Sequence, residues 1–248
     1  MQGDVLVVTG GSRGIGAAVV RRAAEAGWSV CFSYRADTGA ARAVADDAER
    51  HGVSARSVRA DMAVEADIVK LFAAAAELGP VTGLVANAGI VAEQRRVDEL
   101  DAHRIRHLLE VNVVAPLLCC REAVLRMSTR HQGHGGSIVL VSSAASRLGS
   151  PGEYVDYAAS KGAVDTLGLG LAKEVAAERV RVNVVRPGII DTDLHASGGQ
   201  PDRAARLGPT LPMGRPGTAD EVAAAVVWLL SDDAGYCTGT VLDVAGGR

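Results

Sequence analysis

The sequence lacks the features that mark membrane and secreted proteins. No apolar run approaches the roughly 20 residues that a membrane-spanning helix needs. Its first residues, Met1-Gln2-Gly3-Asp4, lead straight into a strand pattern and lack the basic region and cleavage site of a signal peptide. We therefore expect no membrane association and a cytoplasmic location.

Metal-binding patterns and clustered positive charge are also missing. The four cysteines show neither metal nor redox spacing, which indicates reduced and mostly buried thiols. His131 and His134 are three positions apart in a glycine-rich loop that offers no third ligand, so we expect no metal site. The net charge is -3 and the basic residues are scattered, which argues against nucleic acid as a partner.

What the chain does contain is a regular alternation of short apolar runs and helical stretches. At 248 residues, 48% of them apolar, it is long enough to bury a substantial core. There is no linker, repeat or low-complexity tract. The alternation predicts a single α/β domain over residues 1–248, with one doubly wound parallel sheet and helices on both faces.

The first apolar run, at residues 5–9, leads into the glycine-rich turn Gly10-Gly11-Ser12-Arg13-Gly14-Ile15-Gly16 and then into a helix that ends at Gly27. Strand, glycine turn and helix form the context of a dinucleotide-binding site. Glycines let the backbone approach a pyrophosphate, and the helix N-terminus offers free N–H groups and the positive end of its dipole.

The end of the second strand bears on the choice of cofactor. NAD-binding sheets usually carry an acidic residue there for the ribose 2′-hydroxyl, whereas an arginine accommodates a 2′-phosphate. Here Ser33 and Arg35 stand at this point, no acid occurs before Asp37, and Arg13 adds a second guanidinium. This pattern favours NADP(H), with NAD(H) still possible; the alternative is that both arginines are merely solvated.

Two further strand ends carry candidate ligand contacts. Asp61 and Met62 follow the third strand, where Asp61 either accepts a hydrogen bond from an adenine amino group or caps the next helix. The fourth strand ends in Asn87-Ala88-Gly89, whose small residues let the backbone pass close to a ligand.

Tyr157 and Lys161 form the candidate catalytic pair. Their spacing places both side chains on one face of a helix, where the ammonium favours the phenolate and would lower the Tyr pKa from about 10 toward the working range. Lysine occurs only three times and tyrosine four times in the chain, and no other tyrosine has a lysine four positions later. The alternative is an ordinary surface pair.

Polar residues flank this pair in the sequence. Ser142 and Ser143 end the fifth strand, and a serine hydroxyl there could bond the same substrate oxygen as Tyr157. Asn112 lies within a long helical region, residues 98–130, close to Pro116. Since asparagine and proline both disturb a helix interior, they indicate a buried polar site or a feature of the core.

Together these motifs resemble the short-chain dehydrogenase/reductase family, and most closely its branch of 3-oxoacyl-carrier-protein reductases and glucose dehydrogenases. They occur in the family's order and span almost the whole chain: Thr9-Gly10-x-x-x-Gly14-Ile15-Gly16, Asn87-Ala88-Gly89, Asn112, Ser143, Tyr157-x-x-x-Lys161, and Pro187-Gly188 with Thr192. The resemblance implies a seven-stranded Rossmann sheet and hydride transfer between NAD(P) and an alcohol/carbonyl pair.

The resemblance also implies roles for four residues. Tyr157 would exchange a proton with the substrate oxygen, and Ser143 would hydrogen-bond that oxygen, leaving Ser142 with a structural role. Lys161 would hold the nicotinamide ribose and lower the Tyr157 pKa. Asn112 would orient a water that leads from Lys161 toward solvent.

The family pattern implies a cofactor site as well as an assembly. Residues 193–213 would form a substrate lid with a short helix near residues 202–207, and a homotetramer would pair the helices at residues 98–130 and around Tyr157. The expected cofactor contacts are Gly10, Ser12, Arg13, Gly14, Ile15, Gly16, Ser33, Arg35, Asp61, Met62, Asn87, Ala88, Gly89, Tyr157, Lys161, Pro187, Gly188, Ile190 and Thr192.

Three alternatives to a general carbonyl/alcohol oxidoreductase are open at the level of the sequence. A non-catalytic redox sensor on the same fold would have no use for Asn112, Ser143, Tyr157 and Lys161 together. An epimerase or dehydratase would be expected to carry an added substrate domain. Within the enzyme class, a 3-oxoacyl-thioester reductase and a sugar dehydrogenase both stay open, although the stretch Ala177-Glu178-Arg179 lacks the basic patch that would favour an acyl carrier protein.

Overall fold

The structure is a computed structural model that describes residues 3–248, apart from the side chains of His195 and Ala196. Met1 and Gln2, which the sequence places ahead of the first strand, lie outside the described residues. The strands are β1 Val5–Val8, β2 Ser29–Tyr34, β3 Ala55–Arg59, β4 Val81–Ala86, β5 Gly136–Val141, β6 Val180–Pro187, β7 Ile190–Asp191, β8 Gly217–Thr218 and β9 Val241–Val244. The α-helices are α1 Gly14–Glu25, α2 Thr38–Glu49, α3 Glu65–Ala76, α4 Ala102–Leu109, α5 Ala115–Met127, α6 Ala145–Leu148, α7 Val155–Val175, α8 Leu194–Ser197, α9 Arg203–Leu207 and α10 Ala219–Leu230.

Seven strands form one sheet in the order β3-β2-β1-β4-β5-β6-β9, and every neighbouring pair is parallel. The chain starts in the middle at β1, runs outward to β3, and returns to β4 on the other side of β1. The strand order therefore reverses between β1 and β4, where a ligand crevice opens at the carboxyl ends of the strands. The predicted seven-stranded doubly wound fold is confirmed.

Alternate side chains of each strand supply two separate cores. In β1, Val5 and Val7 pack with helices α3, α5 and α7 on one face of the sheet. Leu6 and Val8 face the other way and pack with α1, α2 and α10. Because successive side chains of a strand point to opposite faces, a continuous apolar run is what a strand covered on both sides requires.

The long helix predicted at residues 98–130 is interrupted. It consists of a 3-10 turn at Val97–Glu99, then α4, a π-helical turn at Glu110–Val114, and finally α5. Pro116 has no N–H to donate to the carbonyl of Asn112, four residues earlier, so the regular hydrogen-bond pattern cannot pass this point. The irregular turn holds Asn112 fully buried below the crevice.

Several smaller expectations are also tested by the structure. The four cysteines are free thiols, three of them buried, and burial raises the pKa of both Cys31 and Cys119 to about 12. Thr218 and Glu221 form the predicted capping box at the start of α10. A short helix, α9, lies where the sequence indicated one in the segment 193–213.

The described residues include neither a membrane-spanning helix nor a metal-binding cluster. No helix there is long and apolar enough to cross a membrane. In the same part of the chain, no group of three or more His, Cys, Asp or Glu side chains is arranged to hold a metal ion. The cytoplasmic location remains a prediction.

Candidate active site

A cavity of about 810 Å³ lies over the carboxyl ends of the central strands. All but two of the site residues expected from the sequence line it; the exceptions are Gly16 and Asn112. The long β1–α1 turn forms one part of its wall, and the N-terminal half of α7 forms another. The fold thus joins motifs that are spread over almost 200 positions of the chain.

The glycine turn is shaped by close packing. A Cβ atom on Gly16 would lie 2.1 Å from Gly10 O and 2.6 Å from Asn87 Nδ2, so no larger residue fits there. Gly10 and Gly14 have φ angles of +67° and +53°, which favour glycine. Gly16, expected to contact the cofactor, instead lets α1 pack against the turn without lining the cavity.

Asn87 ties the end of β4 to this turn. Its Nδ2 donates to Thr9 O at 3.0 Å and to Gly10 O at 3.2 Å. The hydroxyl of Thr9 in turn accepts hydrogen bonds from the backbone N–H groups of Asn87 and Ala88. These contacts hold the two strands on either side of the order reversal in one position.

At the far end of the cavity the lining contains charged residues of both signs. Arg13 and Arg35 both line it, while the hydroxyl of Ser33 accepts a hydrogen bond from Gly10 N at 3.0 Å. The nearest acid, Asp37, caps α2 by accepting from Ala40 N at 2.9 Å. Asp37 lines the cavity as well, with its Oδ1 engaged in this cap.

Asp61 lines the same end, and it does not cap the next helix. Its Oδ1 accepts a hydrogen bond from Ala63 N at 3.0 Å within a local turn. The residue at the cap of α3 is Val64, whose side chain makes no capping bond. Of the two readings of Asp61 left open by the sequence, capping of α3 is thus ruled out.

The two adjacent serines after β5 have different surroundings. Ser142 is buried and donates its hydroxyl to Lys161 O at 3.0 Å, which joins the strand to α7. Ser143 lines the cavity, as Tyr157 does, and its Oγ accepts a hydrogen bond from Ala145 N at 3.1 Å. Only Ser143 is therefore placed to meet the same substrate atom as Tyr157.

The Lys161 side chain is almost fully buried, at 4% exposure. Its Nζ donates to Val141 O at 2.8 Å and lies 5.8 Å from the centroid of the Tyr157 ring. Burial lowers its pKa to about 8, against the opposing charge of Asp165. The Lys161 side chain therefore changes its protonation state at a pH not far above neutral.

The expected fall in the Tyr157 pKa is not found. Burial raises this pKa because a phenolate is poorly solvated there, and the hydrogen bond with Ser143 opposes the rise. The Lys161 ammonium is bound to a backbone carbonyl, so it does not approach the phenol oxygen as a direct partner.

Asn112 sits behind the cavity and joins three segments. Its Oδ1 accepts from Ile90 N at 2.8 Å, and its Nδ2 donates to Ile90 O at 2.9 Å and to Ser160 Oγ at 3.1 Å. A Cβ atom on Gly89 would lie 3.3 Å from Asn112 Oδ1 and 3.4 Å from Lys161 Nζ. Gly89 therefore lets both polar groups converge from opposite sides.

Two ion pairs, which sequence reasoning missed, hold helix α7. Arg104 Nε lies 2.8 Å from Asp156 Oδ2, directly before Tyr157, and both side chains are at most 10% exposed. Arg186 Nη2 lies 2.8 Å from Asp165 Oδ2, one turn after Lys161. An acid just before the tyrosine and another four positions after the lysine were the only signals in the sequence.

The wall of the cavity beyond Tyr157 was also not foreseen. It combines apolar side chains with two arginines from distant parts of the chain. Its members include His107, Val111, Leu148, Tyr154, Leu194, Arg203 and Arg248. Such a wall suits an organic molecule with both an apolar body and a polar group.

Comparisons with known proteins agree with this geometry. Residues 10–248 match the family model described as enoyl-(acyl carrier protein) reductase. The uncharacterized oxidoreductase YgfF of Escherichia coli is 51% identical over 245 residues, which is 98% of this chain and 99% of the relative. The 3-oxoacyl-[acyl-carrier-protein] reductase FabG of Escherichia coli is 34% identical, over 99% of this chain and 97% of FabG.

Solved structures give the same result. A blue fluorescent protein from a metagenomic library, in complex with NADPH, is 34% identical and superimposes with a TM-score of 0.90 over 99% of this chain and 97% of its own. A short-chain dehydrogenase/reductase from Serratia marcescens, also 34% identical, reaches a TM-score of 0.89 with the same coverage.

Proposed function

This chain belongs to the short-chain dehydrogenase/reductase family and is an oxidoreductase of that family. From this premise we propose that it uses NADP(H) to interconvert a carbonyl and a secondary alcohol, with Tyr157 as the general acid/base. The observation that carries the proposal is the meeting of Ser143, Tyr157 and Lys161 in one cavity with the glycine turn.

The cavity is built to accept a dinucleotide. Its turn presents backbone at a helix N-terminus, where Gly10 and Gly14 leave no side chain in the way. The pyrophosphate would lie against this turn, and the nicotinamide end would extend toward Thr192 and Tyr157. When bound, the cofactor supplies or accepts the hydride.

Tyr157 performs the proton transfer in this proposal. In the direction of reduction, the carbonyl carbon gains a hydride while the phenol of Tyr157 gives its proton to the carbonyl oxygen, so that a neutral alcohol forms. Ser143 donates a hydrogen bond to that oxygen and stabilises the negative charge that develops there. Oxidation of an alcohol reverses both transfers.

In this proposal, Lys161 and Asn112 return a proton to Tyr157, and Lys161 also binds the ribose of the cofactor. With a pKa of about 8, Lys161 can bind the ribose hydroxyls as an ammonium and can also release a proton near neutral pH. Asn112 holds the backbone at Ile90 in place, and it lies within reach of Lys161 across Gly89. A water oriented there would return a proton to Tyr157 through Lys161.

The preference for NADP(H) rests on Arg13 and Arg35. Both line the end of the cavity next to Ser33, and a planar guanidinium binds a phosphate through two hydrogen bonds. Asp37 also lines the cavity, with its Oδ1 engaged as the cap of α2.

The substrate class is proposed only as a small or medium carbonyl or secondary alcohol. Relatives with similar identity are named for different substrates: a 3beta-hydroxysteroid dehydrogenase from Eggerthella lenta at 36%, and a cis-4-hydroxycyclohexanecarboxylate dehydrogenase from Sinomonas cyclohexanicum at 38%. Both the 3-oxoacyl-thioester and the sugar reading thus remain hypotheses to test. The segment 193–213, which contains α8 and α9, is proposed as the substrate lid.

We also propose a homotetramer. Helices α5 and α7 each expose apolar side chains: Leu117 and Leu125 on α5 are 47% and 46% exposed, and Leu169 on α7 is 41% exposed. Pairing these helices with their copies would cover the exposed leucines. Sedimentation that returns a stable and active monomer would contradict this assembly.

A spectrophotometric panel tests the proposed function. Purified protein is assayed with NADPH and NADH against aldehydes, diketones, sugars, quinones and a 3-oxoacyl thioester, and with NADP⁺ against the matching alcohols. We expect turnover of at least one pair. Tight binding of NADPH without turnover of any carbonyl or alcohol would instead favour a redox sensor.

A further inference from the structure

The wall of the cavity beyond Tyr157 carries two guanidinium groups. Arg203 lies on the lid helix α9, and Arg248 follows β9. With Tyr154 and Glu153, which lie before α7, they form what is here called the arginine wall. The proton transfers proposed for the active site have no use for these groups.

Arg203 is held rigidly although it belongs to a short lid helix. Its side chain is 6% exposed, and Nη2 lies 2.6 Å from Glu153 Oε2. The guanidinium also stacks over the Tyr154 ring, 5.2 Å from its centroid. The side chain is therefore preorganised against the cavity, and a group bound there would not have to order it.

The arginine wall contains a single carboxylate, that of Glu153, and two guanidinium groups, so this carboxylate cannot neutralise both. Hydrogen bonding to Arg203 lowers the pKa of Glu153, so Glu153 stays ionised and neutralises Arg203. Burial and the nearby charge of Arg203 lower the pKa of Arg248, and Glu153 counteracts this with a weaker effect. Arg248 therefore lies in a partly buried site whose neighbours disfavour its own charge.

The carboxylate of Asp243, which lies near the end of the chain, does not form an ion pair with Arg248. Asp243 lies 3.8 Å from Arg147 and 3.9 Å from Arg186, and both of these are basic. Among the side chains that the structure describes, no carboxylate forms an ion pair with the Arg248 guanidinium. Of the two guanidinium groups of the arginine wall, that of Arg203 is thus paired with Glu153, whereas the Arg248 backbone oxygen accepts from Arg147 and its guanidinium is left to meet a ligand.

The position of the wall relative to the reacting atoms limits the ligand. Tyr154, the residue directly before α7, lines the same cavity as Tyr157. Since Arg203 stacks on Tyr154, a molecule that places its carbonyl at Tyr157 can reach the wall with its other end. The apolar lining between, which includes Leu148 and Val111, suits a hydrocarbon spacer.

We propose that the substrate is a carboxylate-bearing ketone or secondary alcohol, and that Arg248, supported by Arg203, binds its carboxylate. The carboxylate lies several carbon atoms from the reacting carbon, and the planar guanidinium of Arg248 receives it through charge-assisted hydrogen bonds. This inference deepens the proposed function and rests on it for the catalytic step, though not for binding.

Paired substrates test the inference. Methyl ketones that end in a carboxylate, in a series of chain lengths, are compared with their primary amides, which have the same shape without the charge. Because hydrogen bonds to charged groups contribute about 1.5–3 kcal/mol, we expect kcat/KM to favour one or more acids over the amide by about tenfold or more. A ratio near one for every chain length would overturn the proposal.

Variants locate the effect. Arg248→Gln should lower the acid-to-amide ratio by about tenfold, mainly through KM, and Arg248→Lys should restore part of it. Arg206→Gln serves as the control. Arg206 lies on α9, as Arg203 does, but its side chain is exposed and donates a hydrogen bond to Gln200. An unchanged ratio in Arg248→Gln, or an equal loss in Arg206→Gln, would contradict the assignment.

A binding measurement separates the two proposals. Hexanoate and hexanamide are titrated calorimetrically into the protein with saturating NADP⁺. Tighter binding of hexanoate that is lost in Arg248→Gln supports the arginine wall even if no ketone is reduced, in which case the proposed catalytic function would be the part that fails. Equal binding of the two would refute the arginine wall, whatever the turnover.

Discussion

Lys161 Nζ lies over the ring of Tyr157, 5.8 Å from its centroid, and donates to Val141 O at 2.8 Å. Ser143 lies beside Tyr157 in the cavity and opposes the rise in the Tyr157 pKa. We infer that Lys161 assists Tyr157 chiefly through the cofactor ribose, so that the catalytic group is complete only once NADP(H) is in place.

Replacing Tyr157 by Phe removes only the hydroxyl. We expect kcat to fall by about 10²–10⁴-fold, the usual contribution of general acid/base catalysis, with NADPH affinity close to that of the wild type. Steady-state kinetics and NADPH fluorescence titration measure the two effects. A Tyr157→Phe variant with more than a tenth of the original kcat would rule out Tyr157 as the acid/base.

The two adjacent serines provide a matched comparison. Ser143→Ala should lower kcat and shift the pH profile of alcohol oxidation upward, since loss of its hydrogen bond removes the effect that lowers the Tyr157 pKa. Ser142→Ala should instead lower the free energy of unfolding by about 1 kcal/mol, as it loses only a bond to Lys161 O. If both variants changed the pH profile equally, the distinction between the serines would be wrong.

Cofactor choice is tested at Arg35. Arg35→Asp should reverse the preference toward NADH, because the carboxylate repels a 2′-phosphate and accepts from a 2′-hydroxyl. The ratio of kcat/KM values for NADPH and NADH measures it. Arg42→Asp makes the same charge change on the exposed face of α2, where the Arg42 side chain is 84% exposed, and should leave the ratio nearly unchanged.

The pH dependence of stability reports on Lys161. Its pKa of about 8 in the folded protein lies below the ordinary 10.5, so between these pH values the unfolded chain binds more protons than the folded one. The free energy of unfolding that Lys161 contributes should therefore rise as the pH increases from 8 to 10.5.

Urea unfolding at several pH values isolates this contribution. Lys161→Met should remove the rise, whereas Lys173→Met, at an exposed position on the same helix, should retain it. The same pH dependence in wild type and Lys161→Met would show that the Lys161 pKa is not depressed.

Gly16 and Gly170 contrast two helical glycines. Gly16→Ala would bring a Cβ atom within 2.1 Å of Gly10 O, so the turn must shift, and NADPH binding should weaken by at least tenfold. Nothing lies within 4 Å of a Cβ on Gly170 in α7, and Gly170→Ala should raise the free energy of unfolding by about 0.5–1 kcal/mol. Normal NADPH affinity in Gly16→Ala would contradict the close packing of the turn.

Features that depend on residues close together along the chain were predictable from the sequence. The alternation of apolar runs and helices indicated the parallel sheet, and the glycine spacing after β1 indicated the dinucleotide turn. The helix at residues 98–130 was predicted less well, since helical periodicity continues through Asn112 and Pro116 although the backbone hydrogen bonds do not. The fall in the Tyr157 pKa was wrong because spacing reveals neither burial nor the carbonyl that binds Lys161.

The sequence by itself determined the order of strands and helices, the turn at Gly10, and the i,i+4 spacing of Tyr157 and Lys161, because strand and helix periods and turn geometry are local. Only the tertiary structure decided that Ser142 bonds to Lys161 O, that Gly16 packs instead of lining the cavity, and that Arg203 and Arg248 share one wall. Contacts such as Asn112 to Ser160 join residues 48 positions apart. Such contacts arise from the packing of the π-helical turn Glu110–Val114 against α7, and no periodicity along the chain encodes them.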